Sequence, residues 1–303
     1  METSELNVVT GAFSHTGKYI TWRLLSMGER VKTLTGHPNR ENTFGDQVSA
    51  YPFNFDNPSQ LVESLQGATT LYNTYWIRFP QRWGTFDKAV ENTKTLIHAA
   101  EEAGIHRMVH ISITNPSGET SFPYFKGKAL AEKAIINSKL SYAIVRPTLI
   151  FGMEGILINN IAWLLRKFPI FAIFGSGDYL IQPIFVEDVA EIAVNAGHKD
   201  DNMIIDAGGP EIFQFEELVR LIADKIHSRA RIIHVRPGLA LFLARLIGCI
   251  ARDVVITRDE MEGLMSNLLV SQDPATGQTR LSQWLDENAE AVGVKYASEL
   301  KRH

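Results

Sequence analysis

Cysteine is almost missing from this chain: Cys249 is the only one in 303 residues. An intramolecular disulfide is therefore excluded, and a zinc site built on thiolates lacks its ligands. That economy fits a reducing compartment, so a cytoplasmic protein is the expectation. A dominant charge is missing too. Lys+Arg number 30 against 34 Asp+Glu, a formal net charge of -4. Without a long basic block, nothing in the chain calls for nucleic acid. Long hydrophobic runs are also lacking. The most apolar windows, 156–165, 170–174 and 239–250, are flanked or interrupted by Arg166, Lys167, Arg245 and Arg252. None approaches the roughly 20 residues of a membrane-spanning helix. The first seven residues carry Glu2 and Glu5 and lead into a strand, unlike the basic start of a secretory signal. No repeat, low-complexity segment or Gly-x-Ser-x-Gly elbow occurs. Among nine histidines, His106 and His110 are four apart, but His110 falls on a predicted strand, so no metal is expected.

What is present is alternation. Strands are predicted at Leu6–Thr10, Arg30–Thr35, 69–74, 107–112 and 141–146. Helices are predicted between them at 17–27, 59–65, 86–103 and 124–137. Strand–helix alternation of this kind implies right-handed βαβ units and a parallel sheet. Beyond Pro147 the pattern loosens into helices at 159–167, 186–196, 215–226 and 239–251, an extended piece at 183–186 and a strand at 203–206. The last ~50 residues read as helical and polar. The expected architecture is an α/β Rossmann domain, a doubly wound parallel sheet over 1–210. Residues 152–180 contribute to a substrate cleft, and 211–303 form a small, mostly helical C-terminal part.

The first strand runs into Gly11-Ala12-Phe13-Ser14-His15-Thr16-Gly17. A sharp turn at Gly11, close helix–strand packing at Gly17 and amides at a helix start form a pyrophosphate cradle. Ser14 stands where a middle glycine is usual and offers a hydroxyl to phosphate. The second strand ends in Gly36-His37-Pro38-Asn39-Arg40, with no carboxylate for a ribose 2′-hydroxyl. His37 and Arg40 can meet a 2′-phosphate, which favours NADP, with NAD as the alternative. Asn54 and Phe55 are candidate adenine contacts, and Thr74, Tyr75 and Pro147 complete the expected cofactor-contacting set. Tyr124 and Lys128 open a helix at i and i+4 and share a face. An ammonium beside a phenol favours phenolate, which suits acid–base work on an alcohol or carbonyl. Ser112 and Thr114 are candidates to hold the substrate oxygen.

These residues resemble the short-chain dehydrogenase/reductase superfamily in its extended and atypical branch. The resemblance covers residues 6 to 210. It rests on Thr10-Gly11 with Gly17, Tyr124 with Lys128 and Ala131-Glu132, and Arg146-Pro147-Thr148 before Phe151-Gly152. It rests also on Pro183-Ile184-Phe185-Val186-Glu187-Asp188 and Gly208-Gly209-Pro210. The stretch from Leu71 to Phe79 looks like that of NAD(P)H-binding or epimerase-like proteins similar to an accessory subunit of respiratory complex I and to NmrA-like proteins. The resemblance implies NAD(P) binding, Tyr124 as acid/base and Lys128 on the nicotinamide ribose. Three departures weaken the catalytic reading: Ser14 in the turn, Gly36 where relatives often place a phosphate-binding arginine, and bulky Tyr75, Trp76 and Phe79 where small residues usually flank the nicotinamide. Those rings either shape a substrate pocket or block one.

Two functions remain open on the sequence. One is an NAD(P)-dependent oxidoreductase, or epimerase-like enzyme, acting on a small-molecule carbonyl or alcohol. The other is a non-catalytic NAD(P)H binder that senses redox state or helps assemble a complex. The apolar stripes at 156–174 and 239–250, with Trp163 and Phe242 as their test residues, are expected to cover the substrate cleft or pack the small domain; the alternative is a substrate pocket, a protein partner surface or a homo-oligomer contact.

Overall fold

The computed structural model describes residues 5–81 and 84–300. The polar start at Met1–Ser4 lies outside them. In chain order the elements of the first part are β1 (Leu6–Thr10), α1 (His15–Ser26), β2 (Arg30–Thr35), β3 (Val48–Pro52) and α2 (Pro58–Leu65). They continue as β4 (Thr70–Asn73), α3 (Phe86–Glu102), β5 (Arg107–Ile111), α4 (Pro123–Ile136) and β6 (Ser141–Pro147). There follow β7 (Leu149–Phe151), α5 (Ile156–Lys167), β8 (Ile170–Phe174), β9 (Leu180–Ile181), β10 (Pro183–Phe185), α6 (Val186–Gly197) and β11 (Met203–Ala207). The last are β12 (Phe213–Gln214), α7 (Phe215–Lys225), β13 (Arg231–Val235), α8 (Pro237–Ala251), α9 (Arg258–Met265) and α10 (Leu281–Asn288).

A seven-stranded sheet in the order β11-β6-β5-β4-β1-β2-β3 organises the first unit. Neighbours from β6 through to β3 pair in parallel. The strand order reverses beside β1, where β2 lies on one side and β4 on the other, so the C-terminal ends of β1 and β4 open a crevice. The strands read as continuous apolar runs because helices cover both faces. Leu61, Leu65, Leu96, Ile97 and Ile135 from α2, α3 and α4 pack on Val8, Leu71, Met108 and Ile144. Helix starts follow local chemistry: Thr85 Oγ1 accepts from Lys88 N, and Asn57 Oδ1 from Gln60 N ahead of Pro58. Arg107, 1% exposed, donates to the Ala196, Asp200 and Asp201 carbonyls and ties the end of α6 to β5.

The chain divides into units 1–147 with 189–206, and 148–188 with 207–303. The sequence places the boundary at 210; here 148–188 belongs with the C-terminal part, because β8 pairs with β13 and β9 with β12. That second unit has a core of its own, including Phe151, Phe171, Phe174, Tyr179, Phe215 and Trp284. Its helices are joined by three two-stranded sheets, so it is less helical than expected. Residues 266–280, expected to be helical, contain no helix. β7, β8, β9, β12 and β13 carry no strand expectation in the sequence, because they pair two by two outside the strand–helix alternation that marks the first unit.

Candidate dinucleotide site

The turn after β1 is folded by its own backbone. Gly11 has φ +66°, and its N–H donates to the Leu34 carbonyl at 2.8 Å. Its carbonyl accepts from Ser14 N at 2.8 Å and from Ser14 Oγ at 2.6 Å. The hydroxyl that the sequence offers to a phosphate is therefore engaged within the turn. At Gly17 an added Cβ would sit 2.2 Å from the Gly11 carbonyl oxygen, so only glycine allows α1 to start so close to β1. The first turn of the helix is closed by Lys18 N donating to Ser14 O at 3.0 Å. The amides of His15, Thr16 and Gly17 lie before it, at the positive end of the helix dipole. No acidic side chain occupies this first turn. The cradle thus fits a dinucleotide pyrophosphate. The Phe13 ring turns aside and stacks on Phe44 at 6.4 Å.

The crevice between β1 and β4 is lined by a buried polar network. Thr10 Oγ1 accepts from the amides of Thr74 (2.7 Å) and Tyr75 (3.0 Å) and donates to Asn73 Oδ1 (3.1 Å). Thr74 Oγ1 donates to the Thr10 carbonyl at 2.5 Å. Asn73 Oδ1 also accepts from Tyr75 N at 3.1 Å, so Asn73 Nδ2 donates to His110 Nδ1 at 3.0 Å. This pattern places the proton of neutral His110 on Nε2. Complete burial holds His110 well below the ordinary imidazole pKa, and the Lys128 charge pushes the same way.

At the ends of β2 and β3 the expected contacts are spread over two loops. His37 is exposed, its amide bonded to Thr35 Oγ1 at 3.2 Å, and Arg40 N donates to His37 O at 3.1 Å. One turn therefore holds both residues. Asn54 adopts φ +47°, and Phe55 stacks on Phe53 with ring centroids 5.0 Å apart. Tyr75 meets both rings at 5.0 Å and accepts from Asn92 Nδ2 at 2.7 Å. Burial raises its pKa above the usual phenol value, and the Asn92 bond opposes that rise.

Tyr124 and Lys128 share a face of α4, and Trp76 lies across it. The Lys128 Nζ donates to the Ile111 carbonyl at 2.8 Å and stands 4.6 Å from the Trp76 ring centroid. Tyr124 meets Trp76 edge-on at 6.2 Å and Phe86 at 5.8 Å. Gly127 admits this arrangement, since a Cβ there would stand 3.0 Å from Trp76 Cζ2. Lys128 is 3% exposed. Desolvation lowers its pKa to about 7, against the opposing pull of Glu132. Glu132 forms a bidentate pair with Arg146 at 3.0 and 2.6 Å. That pair explains why these two motif residues occur together.

Ser112 and Thr114 extend the parallel register beyond β5: Ser112 N donates to Val145 O (2.7 Å) and Thr114 N to Pro147 O (3.0 Å). His110, Ser112 and Thr114 alternate onto one side. All three are buried, and the Ser112 Oγ, Thr114 Oγ1 and His110 Nε2 atoms have no protein partner. Sequence reading missed His110, Asn73 and Asn92. The legible signal was period two: polar residues at 110, 112 and 114 in an otherwise apolar strand. Trp163, in contrast, packs on Phe168 and Tyr296 at 5.7 and 5.2 Å. Among the described residues no group of three or more His, Cys, Asp or Glu could hold a metal ion.

Residues 11–153 match the model of a family described as NAD(P)H-binding. The chain is 25% identical over 285 residues to the mitochondrial NADH dehydrogenase [ubiquinone] 1 alpha subcomplex subunit 9 of Arabidopsis thaliana, covering 88% of this chain and 71% of that protein. Its fold is that of a nucleoside-diphosphate-sugar epimerase from Staphylococcus aureus, with TM-score 0.74, 17% identity, and 92% and 99% of the two chains covered. The triphenylmethane reductase of Citrobacter sp. is also similar in fold, with TM-score 0.68, 17% identity, and 95% and 100% covered.

Proposed function

We propose that the chain is an NAD(P)H-binding member of the atypical short-chain dehydrogenase/reductase group, and that it holds NAD(P)H without turning it over. One observation carries this reading: Trp76 closes over Lys128 and packs on Gly127. The lysine that would meet the nicotinamide ribose instead donates to a carbonyl in the protein interior. At the pyrophosphate end Ser14 bonds back to Gly11 and Phe13 stacks on Phe44, while at the nicotinamide end Trp76 packs against Gly127 and Lys128. Bound NAD(P)H supplies a transferable hydride. What this chain adds is retention: amides at the start of α1 for the pyrophosphate, and His37 and Arg40 for a 2′-phosphate, which makes NADP(H) the preferred form. The relationship to a complex I subunit supports a role in redox sensing or assembly with protein partners.

A specific observation favours a second reading, a carbonyl reductase. Ser112 and Thr114 keep buried hydroxyls without protein partners, as donors for a substrate oxygen would. In that case Tyr124 exchanges the proton on that oxygen, and Lys128 favours its phenolate. The two readings separate in Tyr124→Phe. We expect NADPH affinity within about two-fold of the parent in a fluorescence titration. NADPH oxidation with a panel of aldehydes, ketones and quinones should be no faster than without protein, in both proteins. Turnover that is present in the parent and lost in Tyr124→Phe overturns the retention reading and establishes the reductase.

A further inference from the structure

The C-terminal unit carries a surface that its core does not explain. α8 is 15 residues long, and Arg245 is its only charged residue. A helix of that composition belongs inside a protein. Ala240 does lie in the hydrophobic cluster, with Leu241 packed against it. Yet Leu239, Phe242 and Leu246 are 50%, 54% and 49% exposed, and Cys249 is exposed beside them. Steps of three and four residues place all four on one helix face.

Along the chain between Asp224 and Asp253 the charges have one sign. Residues 225–252 contain Lys225, Arg229, Arg231, Arg236, Arg245 and Arg252 but no Asp or Glu, in a chain of net charge -4. Lys225 is paired with Asp286. The five arginines are exposed and form no ion pair among the described residues. Arg236 precedes the helix, Arg252 follows it, and Arg245 borders its apolar face. A second copy of this chain is a poor occupant. A two-fold contact would set the patch against itself, arginine facing arginine with no acid between. Spanning a bilayer is excluded by length: about 22 Å of helix falls short of a roughly 30 Å hydrocarbon core.

We propose that α8 docks the protein on the surface of an anionic lipid bilayer. The helix lies in the plane of the interface, with Leu239, Phe242 and Leu246 among the outer acyl segments. The arginines meet headgroup phosphates, their long stems reaching back from the apolar layer. An exposed apolar face bracketed by cations supplies both terms that such docking needs.

The test uses the full chain and vesicles of phosphatidylcholine, alone or mixed with phosphatidylglycerol. Cys249, the only cysteine, takes a polarity-sensitive fluorophore. We expect unlabelled protein to float with the anionic vesicles only. The label should shift to the blue there and be quenched by brominated acyl chains. Phe242→Glu/Leu246→Glu should abolish flotation. Arg236→Gln/Arg245→Gln/Arg252→Gln should weaken it by roughly a hundred-fold, about five-fold per arginine. Both variants should keep the parent melting temperature and NADPH affinity, which shows that the fold survives. Failure of the parent to bind anionic vesicles overturns the proposal, as does undiminished binding by the Phe242→Glu/Leu246→Glu protein. A label shift that follows protein concentration without lipid, with a dimer in sedimentation, also overturns it and assigns the face to a second copy.

Discussion

At the pyrophosphate end of the dinucleotide site, side chains that could crowd the start of α1 are absent or turned away. At the Tyr124–Lys128 end, the largest side chain in the repertoire lies across the dyad. Gly17 has no Cβ because there is no room for one, and Ser14 spends its hydroxyl on the Gly11 carbonyl. Gly127 also lacks a Cβ, but the space released is filled by Trp76. The same device, a glycine at a close approach, serves an open surface in one case and a closed one in the other. The difference teaches that recognition and chemistry are separable in this fold: backbone does the first, side chains the second.

The largest effect expected on this contrast comes from Gly17→Val. Its branched side chain would meet the Gly11 carbonyl at 2.2 Å, and that backbone, bonded through Gly11 N to Leu34 O and through Gly11 O to Ser14 N, cannot yield cheaply. NADPH binding should fall by at least about a hundred-fold, and stability by about 3 kcal/mol. Gly36→Ala, where nothing lies within 4 Å, should leave both unchanged. Calorimetric titration and thermal melts read the two quantities; equal behaviour of the two variants would remove the structural basis of the cradle.

A smaller effect sharpens the other end. The buried Lys128 amine titrates near pH 7 in the fold, against 10.5 for an exposed lysine. Between those values the unfolded chain binds a proton that the folded chain does not. Stability should therefore rise with pH from about 7 to 10.5, and at pH 6 the cost of the buried ammonium is fully present. The window is worth on the order of 5 kcal/mol. Lys128→Met should be more stable than the parent at pH 6, with that advantage shrinking by pH 9. Urea melts at the two pH values measure it, and parallel curves for the two proteins would show that Lys128 is not desolvated in solution.

Much of the first unit was legible because its signals are local. Apolar runs flanked by glycine and by helix-start chemistry marked β1, β2 and β5, and the 11–17 turn announced the cradle. The covering of Lys128 was not legible. Trp76 was read as bulky, but whether its ring shields a pocket or blocks it depends on Gly127, fifty-one residues away in sequence. The tautomer of His110 was hidden for the same reason, since it follows from Thr10 and Asn73 on neighbouring strands. The assignment of 148–188 to the second unit depends on two-stranded pairings, β8 with β13 and β9 with β12, whose partners are far apart in the chain.

The smallest effect concerns the choice between cofactors, and it divides the open end of the site further. β2 ends without a carboxylate, and the bond from Arg40 N to His37 O brings two basic side chains onto one exposed turn. A ribose 2′-hydroxyl gains little from either, whereas a 2′-phosphate gains a charge-assisted partner. Exposure and salt keep the gain modest, so Arg40→Ala should weaken NADPH about five-fold. NADH affinity should not change, because the pyrophosphate cradle common to both cofactors lies on the amides of α1. Titrations with both cofactors at low and at high salt read this directly. A loss shared equally by NADH would move Arg40 to the pyrophosphate. No loss for either would leave His37 alone to distinguish the two, and the preference for NADPH would then disappear in His37→Ala.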